Sequence, residues 1–207
     1  MLKTGAWKGE PCFLVGNGPS REGLDLRRIR ERRVIACNVA AFEVRSDIAL
    51  VMDRRVVEKW KLAWDAIHAV GTQVVMPQAA AFDDTLPPWI VQAKVTPRHN
   101  WSESFEEGIC WHSDAGLTAL SVAYILGADP IYLIGIDLKD TPDKLTSNAG
   151  GLYPEDWRTN AKDCYLRMRE AWESHAKEAT NGRRVVNLNP ESGLRCFEFG
   201  SFEEAVK

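Results

Sequence analysis

The sequence predicts a single α/β domain: a mostly parallel, doubly wound (Rossmann-like) sheet with helices on both faces. Three observations predict it. The candidate strands are continuous apolar runs rather than alternating ones, the mark of strands buried on both faces. Amphipathic or apolar helical stretches separate several of them, as crossovers in a parallel sheet require. Each run also stops at Gly, Asn, Asp or Pro, the residues that turns need.

The first run is Cys12-Phe13-Leu14-Val15, closed by the turn Gly16-Asn17-Gly18-Pro19-Ser20. Asp25 can cap a helix that starts at Leu26 and carries Arg27, Arg28, Arg30 and Arg32 on its wet side. The second strand is Val34–Cys37, stopping at Asn38, and the third is Ile48–Met52, stopping at Asp53. From Arg54 to Val70, the residues Val56, Trp60, Ala63, Trp64 and Ile67 recur at helical spacing, and Gly71 ends the helix. Gln73–Met76 is a fourth strand, closed by Pro77. Prolines 77, 87, 88 and 97 then break any long element, so 77–112 reads as a flexible insert with one possible strand at Trp89–Val95. Ala115–Leu126 is an apolar helix stopped by Gly127, followed by the strand Ile131–Ile134 and by Gly135-Ile136-Asp137. A polar loop around 138–157 precedes a second amphipathic helix, Arg158–Ala179, stopped by Asn181-Gly182. Arg184–Leu188 is the last strand, Asn189-Pro190-Glu191-Ser192 its turn, and a short helix starts at Phe202.

The chain has 207 residues, 45% hydrophobic and 27% charged, ordinary values for one globular domain spanning 1–207. A chain of this size buries roughly 70% of its unfolded surface and needs no disulfide staple. The net charge of −3 argues against coating nucleic acid by bulk charge. No run of about 18 apolar residues predicts a membrane span, and Met1 to Gly9 lacks the apolar core of a secretory signal. The five cysteines (12, 37, 110, 164 and 196) are far apart, with no CxxC and no zinc-finger spacing. They read as reduced thiols of a cytoplasmic protein, and no metal site is expected.

In a doubly wound sheet, ligands bind beyond the carboxyl ends of strands. There the sequence places Gly16 to Ser20, Asn38, Asp53, Gly135, Asp137 and Asn189. Gly16 and Gly18 permit a tight turn and a close backbone approach, and open amides in such a turn can cradle a phosphate. The dinucleotide fingerprint fails, because the third glycine position is Arg21 and the second strand ends in neutral Asn38. A P-loop fails too, since no GK[ST] follows. A second cluster, His112-Ser113-Asp114-Ala115-Gly116-Leu117-Thr118, opens the apolar helix and offers N-terminal amides.

The GNGPS turn, Cys37-Asn38, Ser113…Gly116 and Ile131-Tyr132-Leu133-Ile134-Gly135-Ile136-Asp137 resemble the bacterial sialyltransferases that use CMP-sialic acid (glycosyltransferase family 42). They equally resemble the DUF115 family, with its flagellin glycosylation factors, archaeal 6-hydroxymethylpterin diphosphokinases and small phage-encoded relatives. Pro190-Glu191-Ser192-Gly193-Leu194 matches the Pro-x-Ser-x-Leu of the sialyltransferases. The resemblance covers residues 12 to 205 outside the middle loop. It implies that Asn17, Gly18 and Ser20 hold the nucleotide phosphate and sugar, and that Asn38 contacts the nucleotide-linked group. It further implies that Asp53 binds the donor or a cation. Ser113, Gly116 and Thr118 would line the nucleoside side, Asp137 would sit by the base or ribose, and Ser192 would close the pocket.

The resemblance has a gap. The sialyltransferases carry a histidine base after GID, but this chain has no histidine between Asp137 and His175, and Tyr153 is the one tyrosine of that loop. Tyr153 and His112, or His99 in its place, are the candidate catalytic residues; a neutral imidazole suits deprotonation of a hydroxyl. His68 and His175 read as structural. The six arginines from Arg21 to Arg33 read as a solvated face, or as a surface for an acidic partner. Trp89, Trp101, Trp111 and Trp157, in loops, are candidates for stacking on a sugar or base. The leading expectation is a nucleotide-dependent transferase, most like a CMP-sugar-dependent glycosyltransferase, needing no cofactor besides the activated donor. The alternatives are a Mg²⁺-ATP pyrophosphokinase, with Asp53 and Asp137 near the ion, and a non-catalytic nucleotide-binding or phage assembly protein. The expected partners are a nucleotide or nucleotide sugar, an unassigned acceptor, and in one reading a second copy of the chain.

Overall fold

The computed structural model describes residues 2–81, 86–112, 114–139 and 161–207. Among these, eight strands form one sheet: β1 (Cys12–Val15), β2 (Arg33–Cys37), β3 (Ile48–Leu50), β4 (Gln73–Pro77), β5 (Val91–Ala93), β6 (Ile131–Ile134), β7 (Val185–Asn187) and β8 (Glu198–Phe199). Their order is β5-β4-β3-β2-β1-β6-β7-β8, and every neighbouring pair is parallel. The helices are α1 (Arg54–Lys59), α2 (Lys61–Ala69), α3 (Gln78–Ala81), α4 (Ala115–Leu126), α5 (Ala161–Ala179) and α6 (Phe202–Ala205). None of the described helices is long and apolar enough to cross a membrane.

The predicted two-sided burial is met residue by residue. Cys12, Leu14, Ile35 and Cys37 face one core with Leu117, Leu120 and Trp172 of α4 and α5. Phe13, Val15, Val34 and Ala36 face the other with Ile29, Trp64 and Phe202. Helix α4 is apolar all round because every residue from Gly116 to Leu126 is buried. Its orphan carbonyls are met by the N-terminal turn: the amides of Gly5, Trp7 and Gly9 donate to Ile125, Leu126 and Gly127 at 2.9, 2.7 and 2.9 Å. Gly127 ends the helix at φ 85°, left-handed as a glycine stop requires.

Four elements differ from expectation. Leu26–Ile29 is a single 3₁₀ turn, not an α-helix; Asp25 does cap it, accepting from the Arg27 amide at 3.3 Å. Only Ile29 there is buried, and β2 begins at Arg33, which leaves too little chain to repay helix nucleation. The stretch 54–70 is two helices, broken at Trp60 (φ −112°, ψ 29°), where the Val56 carbonyl also accepts the Trp64 indole at 3.1 Å. The expected insert is largely packed. β5 pairs with β4, Val95 bridges Ile109, and Ile90, Ala93, Ile109 and Cys110 are buried. The strand β8 has no counterpart in the sequence reading.

The topology locates the crevice. From β1 the chain moves outward through β2, β3 and β4 to β5, then returns to place β6 on the other side of β1. The connections leaving β1 and β6 diverge. Their carboxyl ends therefore form the topological switch point, where doubly wound sheets bind ligands.

Candidate functional site

The two glycine-bearing turns meet at this switch point. The Gly16 amide donates to the Ile134 carbonyl at 2.8 Å, and the Gly18 amide to the Gly135 carbonyl at 2.8 Å. A Cβ on Gly16 would collide with the Gly135 carbonyl, and one on Gly18 would lie 2.5 Å from the Asp137 carboxylate. Both glycines are thus needed for β1 and β6 to converge, whatever binds above them.

Asp137 is the hub. Its Oδ2 accepts the Ser20 amide at 2.9 Å. Its Oδ1 accepts the Ser20 hydroxyl and, at 2.9 Å, the Asn189 amide group. Its backbone is gripped too. The Gly193 amide donates to the Asp137 carbonyl at 2.6 Å, and the Ser192 hydroxyl lies 2.8 Å from the Ile136 carbonyl and 2.9 Å from that of Asp137. A carboxylate has about four acceptor positions. Three are used, so one on Oδ2 is left for a ligand donor among the described contacts.

The expected open amide cradle is corrected. The amides of Gly18, Ser20 and Arg21 are all engaged, by the Gly135 carbonyl, Asp137 and the Gly18 carbonyl. The physical reason is adjacency: once β6 lies beside β1, the Gly135–Asp137 turn satisfies donors that a phosphate would otherwise take. Beneath the turn, Arg21 is buried and makes a fork-to-fork pair with Glu43, both contacts 2.8 Å.

Several other predicted residues stitch the carboxyl edge together. The Asn17 side chain donates to the Cys37 carbonyl at 3.0 Å, joining the first turn to the end of β2. Asn38, left-handed at φ 48°, accepts the Met52 amide at 3.0 Å and joins β2 to the exit of β3. Asp53 caps α1 through the Arg55 amide at 2.9 Å and pairs with the Arg55 guanidinium at 2.6 Å. The cation beside Asp53 in this structure is thus the Arg55 guanidinium. Ser192 is wholly buried, as is Thr118, whose hydroxyl donates to the Asp114 carbonyl at 3.0 Å. Gly116 donates its amide to Asp114 at 2.9 Å, and the Asp114 carboxylate also receives the Trp172 indole. Ser113, Tyr153 and Trp157 lie outside the described residues.

His112 enters a different cluster. Its Nε2 is 3.2 Å from His175 Nε2, and its ring stacks on His99 at 4.5 Å. Burial, with help from the imidazoles of His99 and His175, holds its pKa down to about 4. It is neutral at pH 7, but a far weaker base than the expected free imidazole. Cys110 Sγ lies 3.7 Å from His175 Nε2, and burial pushes this thiol up to about 12. His175, read from sequence as structural, is thus half of an imidazole pair. Its partners are 63 and 65 residues away, so no local spacing could have found them.

The loop tryptophans expected to stack on a ligand are packed on the protein itself. Trp89 stacks on His68 at 4.8 Å, Trp101 meets Tyr124 edge-on at 5.3 Å, and Trp111 tilts against His99 at 5.5 Å. The arginine-rich stretch is also largely paired. A cleft of about 460 Å³ opens beside Glu10, Arg33, Arg45 and Asp47 at the amino ends of the strands. Its Arg33 is neutralised by Glu10 and Asp47, and Arg45 faces Glu31.

No family profile and no curated protein matches the sequence. Among solved structures, the MAf glycosyltransferase from Magnetospirillum magneticum AMB-1 is similar at a TM-score of 0.63 and 17% identity, over 97% of this chain. This chain spans only 35% of that protein's length. The sialyltransferase CstII from Campylobacter jejuni, solved with the substrate analogue CMP-3FNeuAc, aligns at a TM-score of 0.49 and 16% identity, over 92% of this chain and 85% of the other. At such identities the first likeness is one of fold: this chain shares a parallel, Rossmann-like α/β architecture with a glycosyltransferase.

Proposed function

We propose that this chain is a nucleotide-dependent transferase that binds a nucleotide-sugar donor, most like a CMP-sugar, at the carboxyl ends of β1 and β6. The observation that carries the reading is the state of Asp137. It is fixed at the switch point through both side chain and backbone, with one acceptor position on Oδ2 open to a ligand donor among the described residues. A ribose hydroxyl or a base amino group supplies the donor that position takes. The fold shared with a glycosyltransferase along 97% of the chain adds support, though fold alone does not fix chemistry.

In this reading the acceptor oxygen attacks the anomeric carbon as the sugar–phosphate bond breaks, and the nucleotide leaves with the electron pair. The chain's contribution is orientation by a site whose geometry is set before the donor arrives. Ser20 and Asn189 hold the Asp137 carboxylate, while Ser192 and Gly193 hold its backbone. Asn17 and Asn38 keep the neighbouring strand ends in register. The proton of the acceptor is assigned to His112 or Tyr153.

The test is a thermal-shift panel of CMP, CDP, UDP, GDP and ATP, each with and without Mg²⁺. A ligand at about 100 times its dissociation constant stabilises the folded state by roughly 2.7 kcal/mol. The largest rise is expected for a cytidine nucleotide without Mg²⁺, reduced in Asp137→Ala and abolished in Ser20→Trp. Release of CMP from CMP-sialic acid then reports turnover. A folded chain whose melting point no nucleotide moves would sink the proposal.

A further inference from the structure

We propose that Cys110, His112 and His175 form a binding site for a divalent transition metal of the Zn²⁺ type, pinning the 95–112 segment to α5. The three side chains bring one sulfur and two nitrogens within 4.8 Å of one another. Two of the three spacings are those of a coordination shell, and the third, from Cys110 Sγ to His112, is within 4.8 Å. Zinc lies about 2.0–2.1 Å from imidazole nitrogen and about 2.3 Å from thiolate sulfur, so tetrahedral edges are about 3.3 Å for N···N and about 3.6 Å for N···S. The observed separations are 3.2 Å between the two Nε2 atoms and 3.7 Å from Cys110 Sγ to His175 Nε2.

The ligand positions are set by rigid neighbours rather than by chance collapse. The Cys110 amide donates to the Ser121 hydroxyl at 2.9 Å, and the His112 amide lies 3.5 Å from the Thr118 hydroxyl. Both partners belong to the buried helix α4. His175 projects from α5; among the described residues its Nδ1 has no hydrogen-bond partner, so the ring's contacts run through Nε2. The approach to Cys110 is shaped by two consecutive left-handed residues, Arg98 and His99, at φ 54° and 60°. Non-glycine residues rarely hold this conformation without a compensating contact. Here the His99 carbonyl is brought to 3.0 Å from Cys110 Sγ and accepts its S–H.

One thiol and two imidazoles select borderline-soft cations and disfavour Mg²⁺ or Ca²⁺, which want oxygen. Metal entry releases the Cys110 proton, breaks the contact to the His99 carbonyl, and leaves the fourth tetrahedral position to a water. The site lies along the flank of α4 and shares His112 with the transferase reading, where that residue is one of two candidates for the acceptor's proton; it rests on no nucleotide contact, and Co²⁺ binding reads it separately from nucleotide binding.

The experiment uses the tag-free chain, stripped with chelator and titrated with Co²⁺. The expected result is one equivalent bound, with visible bands of tetrahedral cobalt and a near-ultraviolet thiolate-to-cobalt band, both erased by one equivalent of Zn²⁺. Cys110→Ser removes the thiolate band, and His175→Ala weakens binding by roughly 100-fold or more. Cys164→Ser, which alters a thiol outside the cluster, changes neither. Circular dichroism establishes that each variant is folded; if Cys110→Ser is not, His175→Ala and Cys164→Ser decide. A folded wild-type chain that binds no Co²⁺, or a thiolate band that survives Cys110→Ser, overturns the proposal and leaves a hydrogen bond between the two imidazoles.

Discussion

Substituting Gly18 by Ala isolates the convergence of β1 and β6 as a physical quantity. Gly18 has φ −66° and ψ 148°, a conformation any residue adopts. With free space around it, Ala would therefore stabilise the chain by about 0.4–1 kcal/mol through the unfolded state. The space is not free. The added Cβ would lie 2.5 and 2.6 Å from Asp137 Oδ2 and Cγ, and 2.7 Å from the Gly135 carbonyl oxygen. Restoring ordinary contact requires a movement of close to 1 Å against a carboxylate held by Ser20 and Asn189 and a carbonyl already bonded to the Gly18 amide. Overpacking of this kind costs about 1–3 kcal/mol. For a chain of this length that is roughly 3–10 °C in Tm. Urea unfolding followed by circular dichroism measures it. A double-mutant cycle sharpens the inference: Asp137→Ala removes two of the three clashing atoms, so Gly18→Ala should cost about 1 kcal/mol less in that background. A Gly18→Ala variant at least as stable as wild type, or full additivity with Asp137→Ala, would refute the proposed clash.

Two further outcomes follow from buried groups. Glu43→Gln should lower stability by about 2–3 kcal/mol, below the ~3–5 kcal/mol typical of breaking a buried pair, because the Arg21 side chain is 2% exposed but that of Glu43 is 39% exposed; a change under ~0.5 kcal/mol in a urea titration would mean that Arg21 finds another partner. Burial pushes the Cys196 thiol up to about 11. Its thiolate fraction at pH 9 is then about 1%, against roughly half for a thiol at 9.0, so alkylation of Cys196, followed by peptide mass spectrometry, should be slow at pH 9 and rise about tenfold per pH unit to pH 10. A rate that levels off near pH 9 would contradict that burial.

What was legible in the sequence divides along a physical line. Burial of a strand on both faces is a property of each residue's own apolarity, so Cys12–Val15 and Ile131–Ile134 were readable as printed, to the residue. Helix α4 was readable for the same reason, with Gly127 as its stop. The choice of hydrogen-bond partner depends on two residues and on the strand order that brings them together. Ser20 and Asp137 are 117 positions apart. Nothing local says that the Gly135–Asp137 turn will consume the amides of the first turn, because that follows only from β6 lying beside β1. The 3₁₀ turn at Leu26–Ile29 failed differently: its cap was present at Asp25, but cap chemistry cannot show how few residues remain before β2.

Asn38 shows where the boundary falls. A polar residue able to adopt a positive φ was readable at the end of β2, and the structure holds it at 48°. The same side chain suits a ligand contact or a stitch to the next strand exit, since one amide oxygen serves either. The Met52 amide, 3.0 Å away, takes that oxygen. A strand-end polar residue is therefore evidence of function only in proportion to the acceptor capacity its neighbours leave unused. By that measure each keeps about one position, but that of Asp137 lies on a carboxylate rather than a neutral amide, which makes it the stronger indicator. Asp137→Asn separates its two roles. With its oxygen in the Oδ2 position the amide still accepts the Ser20 amide, and its NH₂ in the Oδ1 position can donate to the Ser20 hydroxyl, but the Asn189 bond and the negative charge offered to a ligand donor are lost. Nucleotide-induced stabilisation should therefore fall at least about tenfold in affinity, by the ~1.5–3 kcal/mol of a hydrogen bond to a charged group. A ligand affinity unchanged in folded Asp137→Asn, measured by calorimetry, would show that the open position on Oδ2 is structural and not a ligand contact.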